Sequence, residues 1–190
     1  MSSIVGICNS ALIKLGASTI LSLTDGSKNA NLCNAQYEKV RDELLRMHPW
    51  NFAMARAKLA RLAQAPVFGY ANAYQLPADW LRTVAVHDND AGAGAAEYRI
   101  EGRTVASGAE ALYLRYVAAV ADPNDMPVSF REALSWRLAA DLAQAVTQST
   151  TVMEAMERGF RGAMSAARSI DAIEDFPEAL PVSDWITGRG

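Results

Sequence analysis

Apolar side chains near the start of the chain recur every three or four positions. Ile4, Ile7, Cys8, Ala11, Leu12 and Leu15 form one stripe, which predicts an amphipathic helix, and Gly16 follows where a left-handed residue ends such a helix. Asp25-Gly26 reads as a turn. Ser27 then caps a second helix carrying Cys33, Tyr37, Val40, Leu44 and Met47 on one face, and His48-Pro49 stops it. Trp50, Phe52, Leu59 and Leu62 lie in an Ala/Arg-rich stretch, and we read residues 51–65 as a further short helix ended by Pro66.

Beyond Pro66 the period changes to two. Leu81 to His87, Tyr98 to Ile100, Thr104 to Ala106 and Leu112 to Val117 read as strands, with turns at Asp88 to Gly94, Glu101-Gly102-Arg103 and Ser107-Gly108. They are too few and too short for a self-sufficient sandwich, so a small sheet packed on helices is expected. After Pro123 to Pro127 the helical period returns. Ser129 with Glu132 has a capping-box pattern ahead of Phe130, Leu134, Leu138, Leu142, Ala145 and Val146. Thr151 with Glu154 repeats the pattern ahead of Met156, Phe160, Ala163, Ala167 and Ile170, so two long antiparallel helices joined by a tight Ser/Thr loop are expected.

The fold class is therefore α+β, mainly α. An antiparallel helical body (3–65 and 127–170) carries a small inserted antiparallel β-sheet (66–120), together one domain over 1–170, and an extended C-terminal tail follows over 171–190. The tail combines Pro177 and Pro181 with Phe176, Leu180, Trp185 and Ile186. Full exposure would waste that apolar area, so the tail either docks on a partner or folds back over its own subunit.

A length of 190 residues and 20.5 kDa fits one domain, and 51% apolar with 21% charged residues excludes a largely disordered chain. No apolar run approaches the roughly 20 residues that cross a bilayer, so no membrane partner is expected. Eighteen Lys and Arg against 21 Asp and Glu leave a formal charge of -3. That balance argues against a general phosphate-neutralising surface and leaves room for a local patch. Cys8 and Cys33 both fall in helical segments; they read as small packed hydrophobes in a reducing compartment, the alternative being one disulfide between adjacent helices.

Chemistry is hard to place. His48 and His87 share no ligand spacing with each other or with the cysteines, so no metal is expected. His48 at a helix end reads as a side chain facing the last carbonyls, and His87 as a strand-end surface residue. Neither a nucleophile elbow nor a Walker-type loop occurs, and Gly92, Gly94 and Gly102 read as turn glycines. Glu97 and Glu101 would stand about 13 Å apart on an extended strand. That exceeds the roughly 6.5–9.5 Å an inverting glycosidase uses. No catalytic residue and no cofactor is assigned, and the chain reads as non-enzymatic.

Arg56, Lys58 and Arg61 form the most basic section; upstream, Lys39, Arg41 and Arg46 are interleaved with Glu38, Asp42 and Glu43, as on a solvated or inter-subunit face. Arg56, Arg61, Trp136, Phe176, Leu180, Trp185 and Ile186 are the candidate protein-interface residues.

The order of several pieces resembles a known family. Ala11-Leu12-Ile13-Lys14-Leu15-Gly16, the segment Leu32 to Leu45, Pro49-Trp50-Asn51-Phe52-Ala53, Tyr74-Gln75-Leu76-Pro77-Ala78-Asp79-Trp80-Leu81, Tyr98 to Ile100 with Gly102, Leu114-Arg115-Tyr116 and the helix from Phe130 to Leu142 follow one another in sequence. Over residues 3–170 the chain resembles the head-to-tail adaptor family of short-tailed bacteriophages (tail tubular protein A and related tail accessory factors). The resemblance implies a structural virion subunit in a homo-oligomeric ring of about twelve copies, a dodecamer, between the portal protein and the tail nozzle protein. Such a ring is assembled in the host cytoplasm, resides in the virion connector and extends the channel for genome ejection. Passing DNA would make only transient, non-specific contact, which net acidity facing a lumen would weaken. Two other classes stay open: a tail-associated cell-wall glycan hydrolase and a generic nucleic-acid-binding module.

Overall fold

A computed structural model describes residues 2–174. It has the mainly-α α+β architecture expected, with four helices and two small antiparallel sheets. Helix α1 (Ile4–Lys14) starts at Ser3, whose Oγ accepts the Gly6 N–H at 3.0 Å, and ends where Gly16 takes φ +67°. Helix α2 (Lys28–Met47) is capped by Ser27 and buries Ala30, Cys33, Tyr37, Val40 and Leu44. It stops at His48 (φ −145°, ψ 147°), because Pro49 excludes helical backbone in the residue before it.

The expected helix over 51–65 does not form. Asn51–Ala53 make one 3-10 turn, and strands β1 (Met54–Lys58) and β2 (Ala60–Arg61) follow. Ala, Arg and Lys favour helix in isolation, but here alternation wins over propensity. Ala55 and Ala57 pack inward while Arg56 and Lys58 face out, and β1 gains a ladder of five registered pairs with a later strand.

The remaining strands are β3 (Asn72–Gln75), β4 (Trp80–His87), β5 (Tyr98–Glu101), β6 (Thr104–Ser107) and β7 (Tyr113–Ala118). They form two sheets rather than one, in the orders β1-β7-β4 and β2-β3-β6-β5. The β-rich stretch accordingly begins at Met54, twelve residues before the expected boundary at 66. Leu59, Tyr74, Leu76, Val86, Val105, Leu112, Leu114 and Tyr116 fill a small core shared by the two sheets. The buried Tyr74 hydroxyl donates to the Ala109 carbonyl at 2.6 Å, so its burial leaves no orphan polar group.

Helix α3 (Val128–Thr147) and helix α4 (Thr150–Glu174) form the expected antiparallel hairpin, closed by Gln148 in the left-handed conformation (φ 54°). Neither expected cap is used. Pro127 holds the N-cap position of α3 with no side-chain hydrogen bond, and Glu132 instead meets Lys14 Nζ at 3.1 Å. At α4 the capping oxygen belongs to Ser149, which accepts the Val152 N–H at 3.3 Å. Helix α1 lies beside α3, and the main core combines α1, α2, α3 and α4 with Trp50, Met126 and Val117. Helix α4 continues through 171–174, so the expected tail boundary at 171 falls inside a helix, and Asp171 is buried. Among the described residues no helix is long and apolar enough to cross a membrane.

Candidate interface

The three-stranded sheet is half covered. Met54 and Val117, paired across β1 and β7, pack on the helical core, whereas Leu114 and Tyr116 face the small core on the other side. Further along the helix-facing side the helices no longer reach. There Arg56 stands directly opposite Arg115, and Lys58 opposite Tyr113, which on its other flank pairs with His87 of β4. Arg56, Lys58, His87, Tyr113 and Arg115 line a cleft of about 480 Å³, bordered by the loop that carries Asp90.

The electrostatics of that cleft are unbalanced. Among the described residues Arg56, Lys58 and Arg115 make no ion pair within 4.0 Å, and the buried Nε of Arg115 has no hydrogen-bond partner. Lys58 Nζ sits over the Tyr113 ring at 5.5 Å. Like charges directly opposite on a sheet cost about 0.2–1 kcal/mol, so an anion in this cleft gains what the empty sheet loses. An adjoining cleft of about 470 Å³ shares Arg56 and Arg115 and adds Pro49, Asn51, Met54 and Val84.

Asn51 connects this region to the end of α4. Its N–H donates to Asp171 Oδ1 at 3.0 Å, its Nδ2 donates to the Asp171 carbonyl at 2.7 Å, and His48 Nε2 lies 3.0 Å from Asp171 Oδ2. His48 thus faces a carboxylate rather than the helix carbonyls expected of it. Asp171, expected at the start of the tail, takes a role that the sequence reading misses; the signal for it is a carboxylate continuing the stripe Phe160, Met164, Ala167 at helical spacing, where it must find partners.

The other expected interface residues do not join this cleft. Arg61 lies exposed on β2 in the four-stranded sheet, beside Leu62, Ala63, Ala65 and Ala71. Trp136 is half-buried within the chain: Lys14 Nζ is 5.0 Å from its ring, and a Cβ at Gly159 of α4 would come within 2.4 Å of two ring carbons. Phe176, Leu180, Trp185 and Ile186 lie outside the described residues. His87 Nδ1 contacts the Gly94 carbonyl across the β4–β5 loop. Glu97 precedes β5 and Glu101 ends it, both with exposed side chains, and the Glu97 carboxylate accepts from the Tyr70 hydroxyl at 3.4 Å.

Two internal clusters complete the electrostatics. Arg137 of α3 meets Glu157 at 3.0 Å, Asp141 at 3.3 Å and Glu43 at 3.4 Å, joining α2, α3 and α4. Burial, opposed by Arg137 and aided by Glu43 and Glu157, pushes the Asp141 carboxyl up. Cys8 and Cys33 are buried free thiols from adjacent helices; the hydrogen bond to Cys33, then burial, push the Cys8 thiol up, so it stays protonated. The adjacent helices thus bring the two thiols together, and they stay free and buried with no disulfide between them.

Large apolar side chains stay exposed in separate places: Val67 and Phe68 at the β2–β3 loop, Leu21 between α1 and α2, Val128 at the start of α3, and Ile173 near the end of α4. No protein-family model matches this sequence, and no curated protein is significantly similar to it.

Proposed function

We propose that this chain is a ring-forming structural adaptor between a portal and a tail nozzle, assembled from copies of itself. The observation that carries the reading is the distribution of unlike surfaces on one small body. An apolar loop tip (Val67, Phe68), a basic sheet face (Arg56, Lys58, Arg115) and an apolar helix end (Ile170, Ile173) lie on different elements. A closed ring needs two different patches that fit each other, not one patch that fits itself, and unlike surfaces on separate elements supply that requirement. The ordered sequence pieces point the same way: Trp50 to Ala53 forms the hinge between helices and sheets, and Tyr74 to Leu81 runs from β3 into β4.

Native mass spectrometry of the purified chain, alone and mixed with its cognate portal protein or tail nozzle protein, tests this. A ring of about twelve copies, free or formed only on the portal, is the expected result. A chain that stays monomeric and ignores both portal and nozzle overturns it.

A further inference from the structure

The basic cleft gathers three cations around one opening. Strand register sets Arg56 of β1 directly opposite Arg115 of β7, and Lys58 follows two residues on, on the same face of the sheet. Opposed residues on neighbouring antiparallel strands have Cβ atoms about 4.5–5.5 Å apart, and residues i and i+2 on one strand are separated by about 6.8 Å. The three side chains border a single cleft of about 480 Å³. Among the described residues none of them makes an ion pair within 4.0 Å, and the buried Arg115 Nε lacks an acceptor. Asp90, on the bordering loop, is the one carboxylate of the lining among those residues, and it pairs with none of the three.

The number and placement of these charges select the ligand. A carboxylate brings one charge and two oxygens, and leaves part of the triad unanswered. A long polyanion is disfavoured by the net charge of -3 and by Asp90 at the rim. A phosphate dianion has oxygens pointing in several directions, so it accepts from two guanidinium forks and one ammonium together. We propose that the Arg56–Lys58–Arg115 cleft is a binding site for a phosphate dianion, free or as the terminal group of a small phosphomonoester. The anion relieves the like-charge pair across β1 and β7 and gives the Arg115 Nε its acceptor, while Lys58, set over the Tyr113 ring, closes the third side. The adjoining cleft of about 470 Å³ shares both arginines and adds Pro49, Met54 and Val84, an apolar wall for the organic part of an ester. The site belongs to the single chain and does not depend on the adaptor reading.

NMR titration of the full-length chain tests it, with sodium phosphate and phenyl phosphate as probes against sodium chloride at matched ionic strength. Saturable shifts are expected at the Arg115 Nε–H and at the amides of Arg56 and Lys58, and Arg56→Gln is expected to weaken phosphate binding at least about tenfold. Arg56 is exposed and its replacement removes half of a repulsive pair, so without phosphate this variant is expected to unfold at or above the native temperature. Phenyl phosphate binding at least as tightly as phosphate assigns the site to a phosphomonoester; phosphate binding alone assigns it to the free ion. Shifts no larger than those with chloride overturn the proposal, as does saturable binding that survives Arg56→Gln/Arg115→Gln unchanged. A third overturning result is a single-stranded DNA whose affinity, dependent on the same arginines, climbs steeply with its length, because the cleft would then be part of an extended nucleic-acid track.

Discussion

Glycine inside a helix ordinarily weakens it, and α4 holds two such residues that make opposite predictions. At Gly162 an added Cβ meets nothing within 4 Å, so Gly162→Ala gains only the helix-propensity difference, about 0.5–1 kcal/mol. At Gly159 the same methyl lands 2.4 Å from Trp136 Cε3 and Cζ3 and 2.9 Å from Cδ2. Comfortable carbon contacts lie at about 3.5–4.0 Å, so ring and helix must part by roughly 1 Å. The ring is held under Lys14, and the same turn of α4 carries buried Phe160, so neither yields freely. Overpacking of this kind costs about 1–3 kcal/mol, which outweighs the propensity gain and leaves Gly159→Ala destabilising by about 1–2 kcal/mol. Urea unfolding with an unchanged slope reads both variants directly. Trp136→Leu removes the obstruction, so in that background Gly159→Ala is expected to become neutral or stabilising, a coupling of about 1 kcal/mol or more. If both alanines stabilise the native chain alike, Trp136 is not wedged against α4, and its assignment to internal packing fails.

The buried Tyr37 hydroxyl has no hydrogen-bond partner, and burial pushes its phenol up to about 12. Tyr37→Phe is therefore expected to be neutral or to stabilise by up to about 1 kcal/mol in thermal unfolding; a loss beyond that would mean the hydroxyl is satisfied. Asp141 titrates above its ordinary value of 3.8 in the folded chain, so the folded state binds more protons and stability falls as pH rises through that window. Asp141→Asn is expected to stabilise by about 0.5 kcal/mol at neutral pH and to match the native chain under acid conditions where both states are protonated; the opposite trend in pH-dependent urea midpoints refutes the assignment. Asp171→Ala orphans the Asn51 N–H and deprives His48 of its partner, and is expected to cost about 2–3 kcal/mol in urea unfolding, against near-neutrality if the contact is dispensable.

The parts of the fold that were legible in sequence are those where local chemistry and tertiary packing agree. Ser27 and Pro49 bound α2 because cap and breaker act within a few residues. Strands β5 and β6 were readable through Glu101-Gly102-Arg103, where Gly102 takes φ +60° in the turn. β1 was not, because its residues are helix formers and its stability comes from β7, far along the chain. β3 was missed for another reason: Asn72, Ala73 and Tyr74 are all buried, so no alternation marks the strand. The basic character of Arg56 was visible, but its pairing with Arg115 is a matter of strand register, which no local pattern encodes.

The junction from His48 to Met54 ties the helices to the sheets. Trp50 donates its indole N–H to the Leu44 carbonyl at 3.0 Å and stacks edge-on against Phe130 at 5.1 Å, fixing the end of α2 against α3. Asn51 holds Asp171, fixing the end of α4, and Met54 starts the sheet against Val117. Within one short stretch the chain thus fixes the angle between helices and sheets and the position of the last turns of α4. An adaptor whose copies must match one another around a ring requires such angles to be the same in every copy. Under the proposed ring assembly, loosening this junction is expected to disturb assembly before it unfolds the subunit, because a small error in angle would be repeated at each interface while the core beneath remains packed.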